Sequence, residues 1–383
     1  MTDAVIVKAK RTPIGKMGGI LSTLEPEKLL ASLIQHIVAE TNLPNDIIDD
    51  VIIGNVVGPG GNIARVSALE AGLPVTVPGV TIDRQCGSGL EAINIAARLI
   101  QSGAGEVYLA GGVESTSRAP WKMAKPQTLM GVPELYTRAH FTPKSYGDPD
   151  MGIAAENVAQ KYAISREEQD RFSLESHQKA IHSQQTGRFE QEIVPLQVKG
   201  EWITEDECPR SNTNMEKLSK LLPVFQEHGT VTAGNACPLN DGAALVLIMS
   251  LEKCRELNLK PILRVVDAQA AGVDPNYLGI GPIPAIQKVL NRQQLTVDDI
   301  DVVEFNEAFA SQVLASLKEL QIPLLKVNRG GGALAIGHPF GASGAILMTR
   351  LCAEMLHQPY KKGIATLGIG GGIGIATLVE SVE

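Results

Sequence analysis

"CGSGLEAINIAARLI", residues 86–100, sets a cysteine and three small residues in front of apolar positions spaced for one helix face. "GASGAILMTRLCAEML", residues 341–356, has the same form: a small-residue turn opening an apolar helix. The flanking segments repeat too. "NLPNDIIDDVIIGNVV" at 42–57 and "QLTVDDIDVVEFNEAF" at 294–309 each run from a polar link through paired aspartates into a β-branched strand. Downstream, each helix leads to a strand ending in glycines, "EVYLAGGVES" at 106–115 and "GIATLGIGGG" at 363–372. Elements recurring in one order predict two copies of one α/β unit about a pseudo-twofold axis. A site is then expected at the strand ends and helix starts.

Residues 116–239, between the copies, have a different character. They hold nine of the chain's fifteen aromatics. Ser165 and Glu168 form a capping-box signature in front of "REEQDRFSLESHQKAI". This segment reads as an insertion lying over the site, or alternatively as a separate small domain with no ligand.

Composition narrows the function classes. The chain has 383 residues, 44% of them hydrophobic, which is enough for two or three domains with a large core. A net charge of −8 argues against a nucleic-acid surface. Five cysteines with no CxxC argue against a disulfide framework and a zinc site, so no metal is expected and the compartment is expected to be reducing. The opening "MTDAVIVKAKRTPIGK" enters a short strand and a basic turn, with no apolar leader segment. Apolar runs such as "AALVLIM" fall far short of the ~20 residues of a membrane span, so a cytoplasmic location with no membrane partner is expected.

Three residues suggest chemistry on their own. Cys86 ends a β-branched run and precedes a helix, where backbone N–H groups and the helix dipole favour a thiolate nucleophile. The alternative is a small buried hydrophobe. His338, in the loop that opens the second copy's helix, mirrors Cys86, as a nucleophile–base pair requires; otherwise it is polar surface. Asn306 ends the matching strand and can offer an amide N–H to a developing oxyanion, or serve as an ordinary cap. The glycine run "GIGGGIG" at 368–374 fails as a dinucleotide fingerprint because Ile373 stands where the third glycine belongs. No Gly-Lys-Ser/Thr ends any glycine run, so it is no P-loop either.

"RTPIGKMGG" at 11–19, "CGSG" at 86–89, "GTVTAGNACPLNDGAA" at 229–244, "NEAFA" at 306–310, "NRGGGALAIGHPFGASG" at 328–344 and "GIGGGIG" resemble the thiolase family in order and along the whole chain. The resemblance implies an α/β thiolase fold: two pseudo-twofold-related βαβαβαββ halves in five αβαβα layers, plus an inserted loop domain. The implied boundaries are 1–115, completed by 240–261, for the first half, 116–239 for the coenzyme A loop domain, and 262–383 for the second half. It implies an acetyl-CoA acetyltransferase type of activity in fatty acid metabolism, on coenzyme A thioesters that come and go as substrates with no permanently bound cofactor. A homodimer or homotetramer is implied as well.

By the same resemblance Cys86 takes the acyl group and His338 is its base. His338 and a water on Asn306 form one oxyanion hole, and the N–H groups of Cys86 and Gly370 form the other. Arg210, Lys217, Phe225, Ala236, Cys237, Ala308 and Phe309 fall on the coenzyme A contacts, Lys217 in place of a family serine. Two positions depart from the pattern. Gly368 stands where thiolases carry a second cysteine, the acid/base of carbon–carbon bond formation and cleavage, so that step is expected to be impaired. Cys237 is the nearest stand-in. Asp150 replaces a histidine of the biosynthetic members, which would put an acidic group near the thioester.

Overall fold

In the structure, a computed structural model that describes residues 2–382, the echoed segments build two matching ladders. The first uses β1 (Ala4–Arg11), β2 (Asp50–Gly54), β3 (Gly79–Ile82), β4 (Val107–Ser115) and β5 (Asn240–Ser250). The second uses β6 (Leu263–Gly272), β7 (Val302–Phe305), β8 (Lys362–Ile369) and β9 (Ile373–Ser381). In the first, β2 runs parallel to β4, β4 antiparallel to β5, and β5 antiparallel to β1. The second repeats this with β7 parallel to β8, β8 antiparallel to β9, and β9 antiparallel to β6. Where β3 extends the first ladder beside β2, only a parallel bridge from Val303 to Val327 occupies the matching place. The ladders meet at Val5↔Arg264 and Ile6↔Leu263, which gives the continuous order β7-β8-β9-β6-β1-β5-β4-β2-β3.

The helices supply the remaining layers. α1 (Pro26–Thr41) covers the outer face of the first ladder, and α2 (Ser88–Ser102) its inner face. α3 (Met151–Tyr162) and α4 (Arg166–Gln185) belong to the insertion, where the capping box forms: the Glu168 N–H donates to Ser165 Oγ at 3.2 Å and the Ser165 N–H to the Glu168 carboxylate at 2.7 Å. α5 (Pro282–Gln293) lies on the outer face of the second ladder, α6 (Ala310–Leu320) follows β7, and α7 (Phe340–His357) enters the centre. α7 has sheet on both sides, which is why it is apolar nearly all round, with Ala342, Ala345, Ile346, Met348 and Leu351 all buried.

The small residues that open α2 and α7 are there because the two helices cross backbone to backbone. A Cβ on Gly89 would stand 2.7 Å from the Gly341 carbonyl oxygen, and one on Gly344 would stand 2.4 Å from the Leu90 nitrogen. Any larger residue would push the helix starts apart, and the cysteine and histidine beside them would move too.

The insertion is tied down by buried charge. Arg11 donates to Glu192 at 2.9 Å and to Asp206 at 2.7 Å, both acids from the insertion. Arg350 on α7 shares Glu192 at 3.0 Å. Glu304 on β7 is the odd member: neither carboxyl oxygen has a hydrogen-bond partner, and its nearest cation is the Arg350 Nε at 3.7 Å. Burial, with Glu354, Glu192 and Glu307 nearby, raises its pKa from 4.5 to about 8 against the pull of Arg350. The unfolded chain loses this proton near 4.5 and the native chain near 8, so folding stability falls as pH rises through that window. Glu304→Gln is therefore expected to raise thermal stability already at pH 6, which lies inside that window, and by about 2 kcal/mol more at pH 9. Equal Tm shifts at the two pH values would show that Glu304 is ionised throughout.

Among the described residues, no helix is long and apolar enough to cross a membrane, and no cluster of His, Cys, Asp or Glu is placed to hold a metal ion.

Candidate active site

His338 is held from three directions. Gly337, at φ +113°, turns the chain so that the His338 N–H donates to Asn240 Oδ1 at 2.8 Å. A side chain there would collide with Asn240, whose Nδ2 lies 2.4 Å from the Cβ position. On the ring, Nδ1 lies 2.6 Å from Ser343 Oγ, and that hydroxyl spends its only proton on the Pro339 carbonyl at 2.9 Å. Ser343 must therefore accept from Nδ1–H, which leaves the Nε2 lone pair free on the side facing Asn306 Nδ2, 3.4 Å away. The residue is 2% exposed, and burial alone pushes its pKa down to about 4. It is a neutral base at physiological pH.

Asn306 follows the last residue of β7, and its N–H donates to the Thr366 carbonyl on β8 at 3.0 Å. Gln312 donates to the Asn306 carbonyl at 3.2 Å, so its backbone is fixed on both sides.

Cys86 lies in the turn between β3 and α2, just after Gln85, which takes a left-handed φ of +47°. The N–H groups of Gly370 and of Cys86 itself hydrogen-bond toward the sulfur and favour the thiolate. Burial opposes them and wins, with help from the negative charges of Glu114 and Asp83, and the thiol is pushed up to about 12. This corrects the expectation of a resting thiolate: helix start and amides are present, but desolvation outweighs them. Thiol and imidazole are both neutral at rest, so the proton has to move as the sulfur attacks.

Gly370 opens the three-residue turn between β8 and β9. The rest of the glycine run admits backbone: at Gly374 a Cβ would fall 1.9 Å from the Gly281 carbonyl carbon. Gly368 pairs with Gly374 across the hairpin and has no side chain to offer.

Cys237 lies between the two halves of the site. Its N–H donates to the Ala308 carbonyl at 2.9 Å, and Leu239, two residues on, bridges His338. Toward the other half, a negative charge on Cys86 raises the Cys237 thiol, which burial has already raised well above the ordinary range.

Beside it opens a cavity of about 570 Å³ whose lining includes Arg210, His177, Phe225, Ala236 and Cys237. Ala236 bridges Phe309, whose ring stands edge-on to Phe225 with centroids 6.2 Å apart. Lys217 is elsewhere, on the short helix Met215–Ser219, with its ammonium on the Asn212 carbonyl at 2.8 Å. Asp150 points outward, its side chain 78% exposed and 3.8 Å from Arg138, so its charge is spent on solvent and a guanidinium.

Sequence reasoning assigned no role to Asn240, Ser343, His177 or Glu114. All four lie inside stretches quoted above, but only their orientation gives them a task. His177 accepts the Arg210 N–H on Nδ1 at 3.2 Å, and burial, with the Arg210 charge, lowers its pKa to about 4. Glu114 accepts from the N–H groups of Val56 and Gly341 at 3.0 Å and so fixes the start of α7. Burial raises its pKa to about 7 against these hydrogen bonds.

A neutral buried imidazole, a thiol under a backbone N–H and a cavity reaching Cys237 suit acyl transfer through a cysteine. The comparisons agree in kind. Residues 4–252 match the family described as Thiolase, N-terminal domain, and residues 259–381 match Thiolase, C-terminal domain. A relative from Staphylococcus epidermidis named "Putative acetyl-CoA C-acetyltransferase VraB" is 51% identical over 382 residues, covering 99% of each chain. The crystal structure of the Bacillus anthracis acetyl-CoA acetyltransferase superposes with a TM-score of 0.94 at 40% identity, covering 100% of this chain and 99% of that one. Human mitochondrial 3-ketoacyl-CoA thiolase, solved in complex with CoA, gives 0.94 at 37% identity, covering 100% and 98%. With the repeated ladders, the crossed helix starts and both domain matches spanning nearly all of its length, this chain belongs to the thiolase family.

Proposed function

We propose that the protein is a thiolase-type acyltransferase of the acetyl-CoA/acetoacetyl-CoA class that works through an acyl-cysteine on Cys86, with a slow carbon–carbon step. The observation that carries this reading is the pairing of complete acylation machinery with a glycine at position 368. In the first half-reaction His338 Nε2 takes the thiol proton as the Cys86 sulfur attacks the thioester carbonyl. The oxygen of the tetrahedral intermediate rests on the N–H groups of Cys86 and Gly370. The coenzyme A sulfur then leaves, recovers the proton from the imidazolium, and an acyl-Cys86 thioester remains. In the second half-reaction His338 and a water on Asn306 hold the carbonyl of the incoming thioester.

Residues 116–239 act as the coenzyme A domain between halves 1–115 with 240–261 and 262–383. Pantetheine runs along Ala236, Cys237, Ala308 and Phe309, with Arg210 and Phe225 further out and Lys217 left to the phosphates at the rim. Coenzyme A thioesters are substrates and nothing stays bound between turnovers. The protein works in the cytoplasm as a homodimer or homotetramer. Gly368 favours a second reading, a non-turnover acyl-CoA-binding protein or slow acyl-CoA hydrolase, because an acyl-enzyme without a carbon acid/base meets mainly water.

Intact-mass and peptide mass spectrometry after mixing with acetyl-CoA tests the first half-reaction. One acetyl group is expected on the peptide carrying Cys86, lost when free coenzyme A is added. An unmodified Cys86 peptide, or a label placed on another residue, would overturn the assignment.

A further inference from the structure

The Gly370 N–H faces the Cys86 sulfur, while the α-carbon of the same residue faces an aromatic ring from the insertion. A Cβ on Gly370 would stand 2.8 Å from Phe141 Cε2 and 2.9 Å from Cδ2, so the ring lies flush against the glycine. One residue on, a Cβ at Gly371 would stand 3.1 Å from the Phe141 carbonyl oxygen. Phe141 is thus one atom layer from the amide that receives the oxygen of an acyl-cysteine.

The ring is also fixed from behind. The Arg138 guanidinium lies 4.7 Å from its centroid. Arg138 donates to Asp148 Oδ1 at 2.8 Å, and the Phe141 N–H donates to the same oxygen at 3.2 Å. His140 Nδ1 meets the other carboxylate oxygen at 2.9 Å. These contacts make a self-contained clamp around one phenyl ring.

Beyond the ring lies open space. A cavity of about 410 Å³ is lined on one side by Phe141 and Gly370 together with Ile82, Ile95 and Ile373, while Asp83, Arg84, Gln85, Glu91 and His140 form its polar rim. Phe141, packed on Gly370, therefore stands at the border between the amide that faces the thiol and a cavity with room for several methylenes.

We propose that Phe141 is a specificity-determining residue that caps the acyl group at a short chain, and that removing its ring opens the site along the apolar side of this cavity. The inference rests on the acyl-Cys86 reading above. A two-carbon acyl group ends short of the ring, whereas a longer one must displace it or fold back toward the pantetheine. Pockets of this kind discriminate by about tenfold or more for each methylene that does not fit.

The test measures the rate of acyl-Cys86 formation by intact mass, with acetyl-CoA and hexanoyl-CoA, in the parent, Phe141→Ala and Phe141→Leu. The hexanoyl-to-acetyl rate ratio is expected to rise at least about tenfold in Phe141→Ala. Phe141→Leu keeps an apolar filler on Gly370 and is expected to fall between the parent and alanine, which covers the case in which alanine unseats the clamp. An unchanged ratio in both variants, with acetyl transfer still measurable, overturns the cap and leaves the acyl-cysteine standing. A parent that acylates with neither substrate overturns the acyl-cysteine, and the cap with it.

Discussion

Replacing His338 with asparagine slows acylation of Cys86 by about 10²–10⁴-fold. The size follows from the resting protonation of the pair. With the thiol at about 12, only about one molecule in 10⁵ carries a thiolate at pH 7, so the reaction depends on a base that removes the proton during attack. His338 can do so over an unusually wide range, because burial holds its pKa near 4 and the ring stays neutral in mild acid. The low-pH limb of the parent acylation rate is expected near 4, where an unperturbed imidazole would place it near 6.5. In His338→Asn that limb disappears and the rate climbs with pH toward the thiol value. Ser343→Ala separates base from position: it frees the tautomer without removing the imidazole, so the rate falls less and the acid limb survives. A stopped-flow pH–rate profile of the three proteins reads this out. An asparagine variant with parental rate and parental limb would mean that another group takes the proton.

The sequence discloses the pairing of the halves because glycine spacing is a steric requirement. "CGSG" and "GASG" are small since helix backbones cross at Gly89 and Gly344, and anything that demands a residue type leaves a mark in one dimension. His338 and Asn306 stand out as candidates in the sequence for the same reason, as they sit at mirrored ends of mirrored elements. Depth of burial leaves no such mark. A helix start at Cys86 argues for a thiolate, yet a protonated thiol results because the turn is buried, with Ile369 from the far end of the chain packed against Gly87. Asp150 reads as a charge in the pocket until the turn before α3 points it outward to Arg138. The ties from Arg11 to Glu192 and Asp206 span 181 and 195 residues, and no local pattern predicts them. Phe141 is one of nine aromatics in the insertion, and only the bare α-carbon of Gly370 beneath it gives it a task.

Gly368→Cys is expected to raise acetoacetyl-CoA formation and thiolysis by at least about tenfold, and by as much as 10²–10⁴-fold if the new thiol reaches the position of a general acid/base. The backbone permits the change. Gly368 lies in β8 opposite Gly374 and is not in the left-handed region, so a side chain carries no conformational penalty. Its Cβ would stand 3.1 Å from the Gly279 carbonyl oxygen and 3.3 Å from the Gly279 α-carbon, contacts relieved by a shift of a few tenths of an ångström. Acylation draws on Cys86, His338 and the Gly370 amide, none of which the substitution replaces, so the burst of coenzyme A release should stay near the parental value while condensation rises. That split identifies the missing group as the acid/base of the second half-reaction. If the parent already condenses at an ordinary rate and the added cysteine changes nothing, the proton is held elsewhere. Cys237 is then the place to look, because a charge on Cys86 is felt at its thiol, although burial raises its pKa and makes it a reluctant base. A Cys237→Ser variant tests this: condensation that falls with acylation intact transfers the role to Cys237, and condensation that survives it places the proton on another group.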